Sequence, residues 1–455
     1  FKQKTAYEML RSLVGSEMCI RDRPRLALIA ALLVGLLPLT TARAQEDPVA
    51  ALMARMSSAA KVGQLFMVTF PGAEVAQNSL IAELIRDYHI GGVLLLPENG
   101  NIVNEGDTPR QVATLVEQLQ ATAWAATQGL TTTTVESTGA PEPFVPLFVA
   151  VNHEGNGTPY TGVINGLTPL PSAMAIGATW NPAHAEAVGQ IVGRELDALG
   201  INMLLGPVLD VPETVNPAGD LGVRAFGGDP FWVGQLGMAY IRGVHLGGAG
   251  RVAVIAKRFP GLGMSDRSLD EEVSTVQRTL EKLRQVDLAP FFAVAQASEL
   301  AARPDGLLVS HIRFRGLEGG RFVSTRPVSV DSQVLPRLLS QPELTEWRAS
   351  GGLTVSDGLG LRALRRFYDP SEQTFNGRRI AQEAFLAGND VLLLSQFSLT
   401  SRWDDRATNV RSTITFFQEK YDSDAAFKAL VDAAVARILR LKLSLYGGRF
   451  TLEAT

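Results

Sequence analysis

From about residue 57 onwards, short apolar runs alternate with amphipathic segments of helix length, and this alternation constrains the fold more than any other feature of the chain. Ile90–Leu96 (IGGVLLL) and Leu147–Val151 (LFVAV) have the length and character of buried strands. The same pattern predicts strands at Met203–Leu205, Val252–Ala256, Gly306–Ser310, Leu353–Ser356 and Asp390–Leu394. Asn181-Pro182 starts a helix, with a capping side chain followed by proline in the first turn. Val188, Ile191, Val192, Leu196 and Leu199 keep helical spacing until Gly200 stops it. Further helices are expected at Trp232–Leu246, Thr279–Gln285, Pro290–Ala297, Arg378–Leu386 and Ala425–Leu445. Gly129 to Pro146 is rich in Thr, Ser, Gly and Pro and reads as a surface loop.

Repeated strand–helix units imply a parallel sheet covered by helices. An open doubly wound sheet and a closed barrel both satisfy this pattern. Asn152, Asp210, Lys257, His311 and Asp357 each fall just after or at the end of an apolar run. In a parallel barrel all such strand ends open on one face, where barrel enzymes work. In an open sheet they would gather at one crevice. The expected fold is therefore an α/β, (β/α)8 TIM-type barrel, a single catalytic domain over residues 57–447.

The N-terminus carries other signals. Residues 1–23 (FKQKTAYEMLRSLVGSEMCIRDR) resemble translated sequencing adapter, which would be foreign to the natural protein, with a real leader as the alternative. Residues 24–44 then read as a secretory signal peptide. Arg23 and Arg25 flank an apolar run, Leu26 to Leu39, and Thr41-Ala42-Arg43-Ala44 offers small residues for cleavage. The run is short for a bilayer span, so no stable membrane span is expected after cleavage. Cys19 is the single cysteine and lies in the adapter-like segment, which leaves the remainder without a disulfide or thiolate site.

Several function classes are disfavoured. A formal net charge of -4 gives no electrostatic case for nucleic acid. The five histidines are too scattered for a zinc motif, and neither metal nor cofactor is expected. Gly247-Gly248-Ala249-Gly250 precedes a strand rather than following one, so it is a turn and not a dinucleotide loop.

Three segments carry candidate chemistry. In Gly352-Leu353-Thr354-Val355-Ser356-Asp357-Gly358-Leu359 an apolar strand ends in an acid followed by glycine. A carboxylate at a barrel mouth can attack a sugar's anomeric carbon. Capping of the next helix is the competing role for Asp357. In Ala256-Lys257-Arg258-Phe259-Pro260-Gly261-Leu262-Gly263 two cations stand at a strand end. They could hold sugar hydroxyls or form a solvated pair before a turn. Arg224, in Gly222 to Pro230, is by itself an ordinary surface or packing arginine.

Together these segments resemble glycoside hydrolase family 3, particularly its single-barrel β-N-acetylglucosaminidases. The family's D-Q-E-G-G segment reads here Asn152-His153-Glu154-Gly155-Asn156, and its P-V-x-D segment reads Pro207-Val208-Leu209-Asp210. Arg224 to Pro230 match R-[AS]-F-x-x-D-P. Lys257 to Gly263 read K-R-F-P-G-L-G against K-H-F-P-G-H-G. Ser310-His311-Ile312, Ser356-Asp357 and the closing helix Val431 to Leu439 also match. The resemblance runs from about Ala60 to Tyr446.

The resemblance implies that Asp357 is the nucleophile of a retaining double displacement. It also implies a sugar subsite lined by Asn152, Glu154, Asp210, Arg224, Lys257, Arg258 and His311. Asn152 stands where the family usually has Asp, which removes a charge from the pocket. The family's Asp-x-His acid/base pair falls in register on Ser268 and Asp270, and no histidine occurs between Gly263 and Arg303. That stretch holds Asp266, Asp270, Glu271 and Glu272 instead. Asp270 or Glu271 is the expected replacement donor, with Glu271 preferred. A solvated charge run, or the N-terminal charges of the following helix, is the alternative. Larger members take a Glu from a further α/β domain, so a missing C-terminal domain is a second expected source of the acid.

The expected function is that of a secreted retaining β-glycosidase, an exo-acting β-N-acetylhexosaminidase or β-glucosidase, with a carbohydrate as its partner. A sugar-binding barrel without hydrolysis and an extracellular α/β solute-binding module are the alternatives.

Overall fold

The computed structural model describes residues 47–128, 142–213, 221–263, 265, 272–317 and 323–455. The adapter-like and signal segments, Cys19, and the acids Asp266, Asp270 and Glu271 lie outside the described residues. The part described is one compact unit, Pro48–Thr455.

Eight parallel strands form the central sheet: β1 (Phe66–Val68), β2 (Gly92–Leu95), β3 (Phe148–Val151), β4 (Met203–Val208), β5 (Ala253–Phe259), β7 (Gly306–Val309), β9 (Leu353–Ser356) and β10 (Leu392–Leu394). The short strands β6 (Thr275–Gln277) and β8 (Arg313–Arg315) pair with each other, apart from this sheet. The order β10-β1-β2-β3-β4-β5-β7-β9 is sequential once β10 is placed beside β1. A parallel bridge between Val355 and Val391 joins the two remaining edges. The Ser356 hydroxyl also accepts from the Leu393 N–H at 3.0 Å. The sheet thus closes into the expected TIM-type barrel and leaves no open edge.

Every residue of these eight strands is buried, as expected for strands covered by helices on one face and barrel core on the other. The predicted strands at Leu147–Val151, Met203–Leu205, Val252–Ala256, Gly306–Ser310 and Leu353–Ser356 all exist, with ends shifted by up to a few residues. At Asp390 the predicted strand begins too early. Asp390 is a buried anchor before β10, bound by Arg348 and by Arg437 at 2.7 Å.

The helices follow from their caps. The Asn181 side chain accepts from the Ala183 N–H at 3.1 Å and starts helix Pro182–Ala198. Asp229 does the same for Phe231 and Trp232 at the head of helix Pro230–Gly247. These two helices pack against each other through glycines. A Cβ on Gly189 would stand 2.3 Å from the Tyr240 carbonyl oxygen, and one on Gly193 would stand 2.1 Å from that of Val244. The expected helix at Thr279 begins one residue later, because Thr279 is its cap.

The barrel's lower end, at the starts of the strands, is held by buried polar groups. Lys442 donates to Gln64 Oε1 and to the Gly91 carbonyl, each at 2.8 Å, with its ammonium 4.7 Å from the Phe148 ring centroid. Burial lowers its pKa. Asn202 accepts from the Val149 N–H at 2.7 Å and donates to the Leu147 carbonyl and the Tyr446 hydroxyl. Among the described residues, no helix is long and apolar enough to cross a membrane.

Candidate active site

At the upper end, where the strands finish, lies a cavity of about 420 Å³. Its wall is built by residues at or just after the strand ends. Thr69 comes from β1, Asn152 and Glu154 from the segment after β3, Lys257 and Arg258 from β5, and Asp357 from the residue after β9. A cavity lined by convergent polar side chains at this face is where barrel enzymes do chemistry.

Three charges form its centre. After β3 the chain makes an excursion pinned by an antiparallel bridge between His153 and Thr161. Glu154 is carried on it and points inward. Arg224, in the turn Gly222–Arg224, grips Glu154 with Nε at 2.6 Å and Nη2 at 2.8 Å. Lys257 Nζ approaches the same carboxylate at 2.6 Å and donates to Asn152 Oδ1 at 2.9 Å. The Arg224 guanidinium also lies over the Tyr160 ring, 3.8 Å from its centroid. All three charged side chains are under a tenth exposed.

Two cations therefore share one carboxylate, and the electrostatics follow. Burial alone would raise the Glu154 pKa, but Lys257 and Arg224 outweigh it and hold the group at about 2. For Lys257 burial is the larger effect. Glu154 raises its pKa, but Arg224 and Arg258 oppose that, and the net direction is downward. His153 is buried with no partner on either ring nitrogen, and burial lowers its pKa to about 4, which keeps it neutral near pH 7.

A second pair lies behind the wall. Asp210 is completely buried, accepts from Arg258 Nε at 3.1 Å and from the Leu262 N–H at 2.6 Å. Burial raises its pKa, with Arg258 acting in the opposite direction. Arg258 lines the cavity, and its Nη2 has no hydrogen-bond partner. The sequence reading thus places Asp210 correctly at a strand end, while the structure gives it the task of holding Arg258 and the loop at Leu262.

His311 is similarly set back. Its Nε2 lies 2.9 Å from the Gly358 carbonyl oxygen and its Nδ1 lies 2.7 Å from Ser329 Oγ. A carbonyl can only accept, so Nε2 donates to Gly358, while Nδ1 is paired with the Ser329 hydroxyl. His311 fixes the backbone immediately after Asp357 and is absent from the cavity wall.

Asp357 itself faces the cavity. Its Oδ1 accepts from the Gly358 N–H at 2.8 Å. It does not cap the next helix, which spans Arg362–Tyr368 and starts at Leu361 without a side-chain cap. The helix that follows the acidic run starts at Leu280 behind its Thr279 cap, and Glu272 lies ahead of that cap.

Several wall residues were not anticipated: Glu98 and Asn99 after β2, Tyr160, Ser395 and Gln396 after β10, and Arg406. Glu98, Asn99, Ser395 and Gln396 obey the same strand-end rule that found Asn152 and Lys257. Arg406 sits in the first turn of helix Trp403–Ser423, and no local pattern singles it out. Among the described residues, no group of three or more His, Cys, Asp and Glu side chains could hold a metal ion.

Comparison with known proteins agrees with this geometry. The family model for the Glycosyl hydrolase family 3 N terminal domain matches residues 58–441. A β-hexosaminidase A of Pseudoalteromonas piscicida is 27% identical over 377 residues, covering 80% of this chain and 55% of the relative. A β-N-acetylglucosaminidase/β-glucosidase of Cellulomonas fimi is 26% identical over 399 residues, covering 86% and 58%. The chain thus spans a little over half the length of these two relatives. Among solved structures, a glycoside hydrolase family 3 β-N-acetylglucosaminidase from a Paenibacillus species superposes with a TM-score of 0.69 at 28% identity, covering 87% of this chain and 64% of that one. A β-N-acetylhexosaminidase from Beutenbergia cavernae gives 0.65 at 25% identity, covering 85% and 98%.

Proposed function

This chain belongs to glycoside hydrolase family 3, and from that premise we propose that it hydrolyses terminal β-linked N-acetylglucosamine or glucose by a retaining mechanism. The observation that carries the reading is the Asp357 carboxylate at the end of β9, facing a cavity that also holds the Glu154–Arg224–Lys257 cluster. The names borne by the two curated relatives support the choice of sugars.

In the first step an Asp357 oxygen attacks the anomeric carbon. A carbon–oxygen bond to the carboxylate forms, the glycosidic bond breaks, and the leaving oxygen takes a proton from an acid. In the second step water attacks the same carbon, Asp357 leaves, and the acid's conjugate base takes the water proton. The Gly358 N–H bond orients one Asp357 oxygen and leaves the other for attack. Arg258 and Lys257 are assigned to hold sugar hydroxyls, a reading supported by their positions in the cavity wall. Asn152, as an amide, can donate as well as accept. The proton donor is assigned to Asp270 or Glu271, with Glu271 preferred. A carboxyl group about 5–5.5 Å from Asp357 in the substrate complex meets the geometric requirement of retention. The chain is proposed to act outside the cytoplasm, on the strength of the signal-like segment at residues 24–44.

The test is turnover by the purified chain on a panel of aryl β-glycosides, with mass-spectrometric mapping after incubation with a 2-deoxy-2-fluoro sugar. Turnover with a covalent adduct on Asp357 is expected. Sugar binding without turnover, together with no adduct, would instead support the non-hydrolytic barrel, a reading favoured by the absence of the family's Asp-x-His pair.

A further inference from the structure

Outside the cavity, three aromatic side chains gather on the mouth side of the barrel. Trp180 is 58% exposed and Phe231 63% exposed, and Trp232 is half-buried between them and the helix. The Trp180 and Trp232 rings meet edge to face with centroids 5.4 Å apart, and those of Phe231 and Trp232 do so at 5.6 Å. Trp180 immediately precedes helix Pro182–Ala198, while Phe231 and Trp232 open helix Pro230–Gly247. Helices return antiparallel to the strands, so both helix heads lie at the end of the barrel where the cavity opens.

The backbone at Trp180 is one of six left-handed non-glycine positions among the described residues, in the turn that ends helix Ala173–Gly177. Trp180 is held at φ +52°, a left-handed conformation that is rare for a bulky side chain. Strained positions of this kind concentrate where a side chain has to be presented to something. The surface also leads to the cavity. Met174 (40% exposed) lies on helix Ala173–Gly177, which packs against the turn Gly222–Arg224. Val223 in that turn is 44% exposed, and the next residue, Arg224, lines the cavity. At the rim, the exposed Asn181 uses its carbonyl oxygen for its own helix and keeps its amide N–H groups available for hydroxyls.

We propose that Trp180, Phe231 and Trp232 form a platform for a β-linked glycan chain, holding the polymer against the shoulder of the barrel while a chain end occupies the cavity. The inference rests on the glycosidase reading of the site. A β-linked pyranose carries its C–H groups on its two faces and its hydroxyls around its edge. Its faces stack on aromatic rings, and its hydroxyls reach polar groups at the rim. Rings placed edge to face, rather than stacked on each other, offer faces in different directions to successive sugars of a twisted chain. None of the three is among the cavity-lining residues, so the platform is a separate binding surface.

Trp180→Ala, Phe231→Ala and the double variant test this in the whole chain. On a small aryl β-glycoside, kcat/KM should match the parent. Affinity for chitohexaose or cellohexaose, measured by calorimetry with Asp357→Ala also present to stop turnover, should fall roughly tenfold for each ring lost. Retention on insoluble chitin or cellulose should fall with it. Unchanged oligosaccharide affinity in the double variant overturns the proposal. So does concentration-dependent self-association of the parent that the variants abolish, because the rings would then be covered by a second copy. Failure of the glycosidase reading appears separately, as a parent that cleaves no aryl β-glycoside, while the calorimetry reads the platform without requiring turnover.

Discussion

Replacing Glu154 by glutamine removes a carboxylate that two buried cations share, and the structure sets the size of the effect. Glu154 is held at about 2 against an ordinary value of 4.5. That difference is worth about 3 kcal/mol of native-state stability at neutral pH. An independent route gives the same size, since removing one partner of a buried ion pair costs roughly 3–5 kcal/mol. Because the folded-state pKa is depressed, the contribution is fully present above the unfolded pKa and is lost as pH falls from about 4.5 toward 2. The gap between parent and Glu154→Gln should thus be largest near pH 7 and narrow by about 1 kcal/mol by pH 3.5. Urea denaturation of both chains across that range measures it directly. A gap below about 1 kcal/mol at pH 7, or one that does not change with pH, would refute the argument that Lys257 and Arg224 both depend on Glu154.

Asp357→Ala should abolish turnover while leaving the melting temperature close to the parent's, because the hydrogen bond it loses is a local one, from the neighbouring Gly358 N–H; wild-type rates in the variant would remove it as nucleophile. If an acid of the loop after Gly263 is the proton donor, one of Asp266→Ala, Asp270→Ala, Glu271→Ala and Glu272→Ala should lose activity on poor leaving groups far more than on activated aryl glycosides, with partial rescue by azide. Four variants that all behave like the parent would place the donor elsewhere, in a further domain or a partner chain. Gly263→Ala should destabilise the fold by at least ~2 kcal/mol, because the added Cβ would meet the Val211 carbonyl oxygen at 1.7 Å and backbone cannot step aside as a side chain can. A melting temperature equal to the parent's would show that the loops after β4 and β5 are not packed as described.

The barrel was legible because its strands are buried on both faces and therefore read as continuous apolar runs. β1 escaped because Phe66–Val68 is only three residues long and follows helix Ser58–Gly63 after just Gln64 and Leu65, too short a run to read as a separate strand. The helix Trp403–Ser423 escaped for the opposite reason: its apolar residues form a narrow stripe in a polar segment. Within the site, position was legible and orientation was not. Asn152, Asp210, His311 and Asp357 follow strands, as read from the sequence, whereas Lys257 lies inside β5, which runs on to Phe259. Whether such a side chain faces the cavity, like Asp357, or turns to hold its neighbours, like Asp210 and His311, depends on partners from other strands. The Glu154–Arg224 contact joins residues 70 positions apart, and no local pattern encodes it.

The two ends of the barrel carry different kinds of polar group, and this has a consequence for how the protein can change. The network of Asp390, Arg348 and Arg437, together with Lys442 and Gln64, ties strand starts to the outer helices. The Glu154, Arg224 and Lys257 cluster belongs to the opposite end. No residue is common to both sets, so substitutions at the mouth leave the lower network intact. Exchange of upper-loop segments that keep the Glu154–Arg224–Lys257 cluster and the Gly263 contact should therefore sample new sugar preferences while the lower network stays in place.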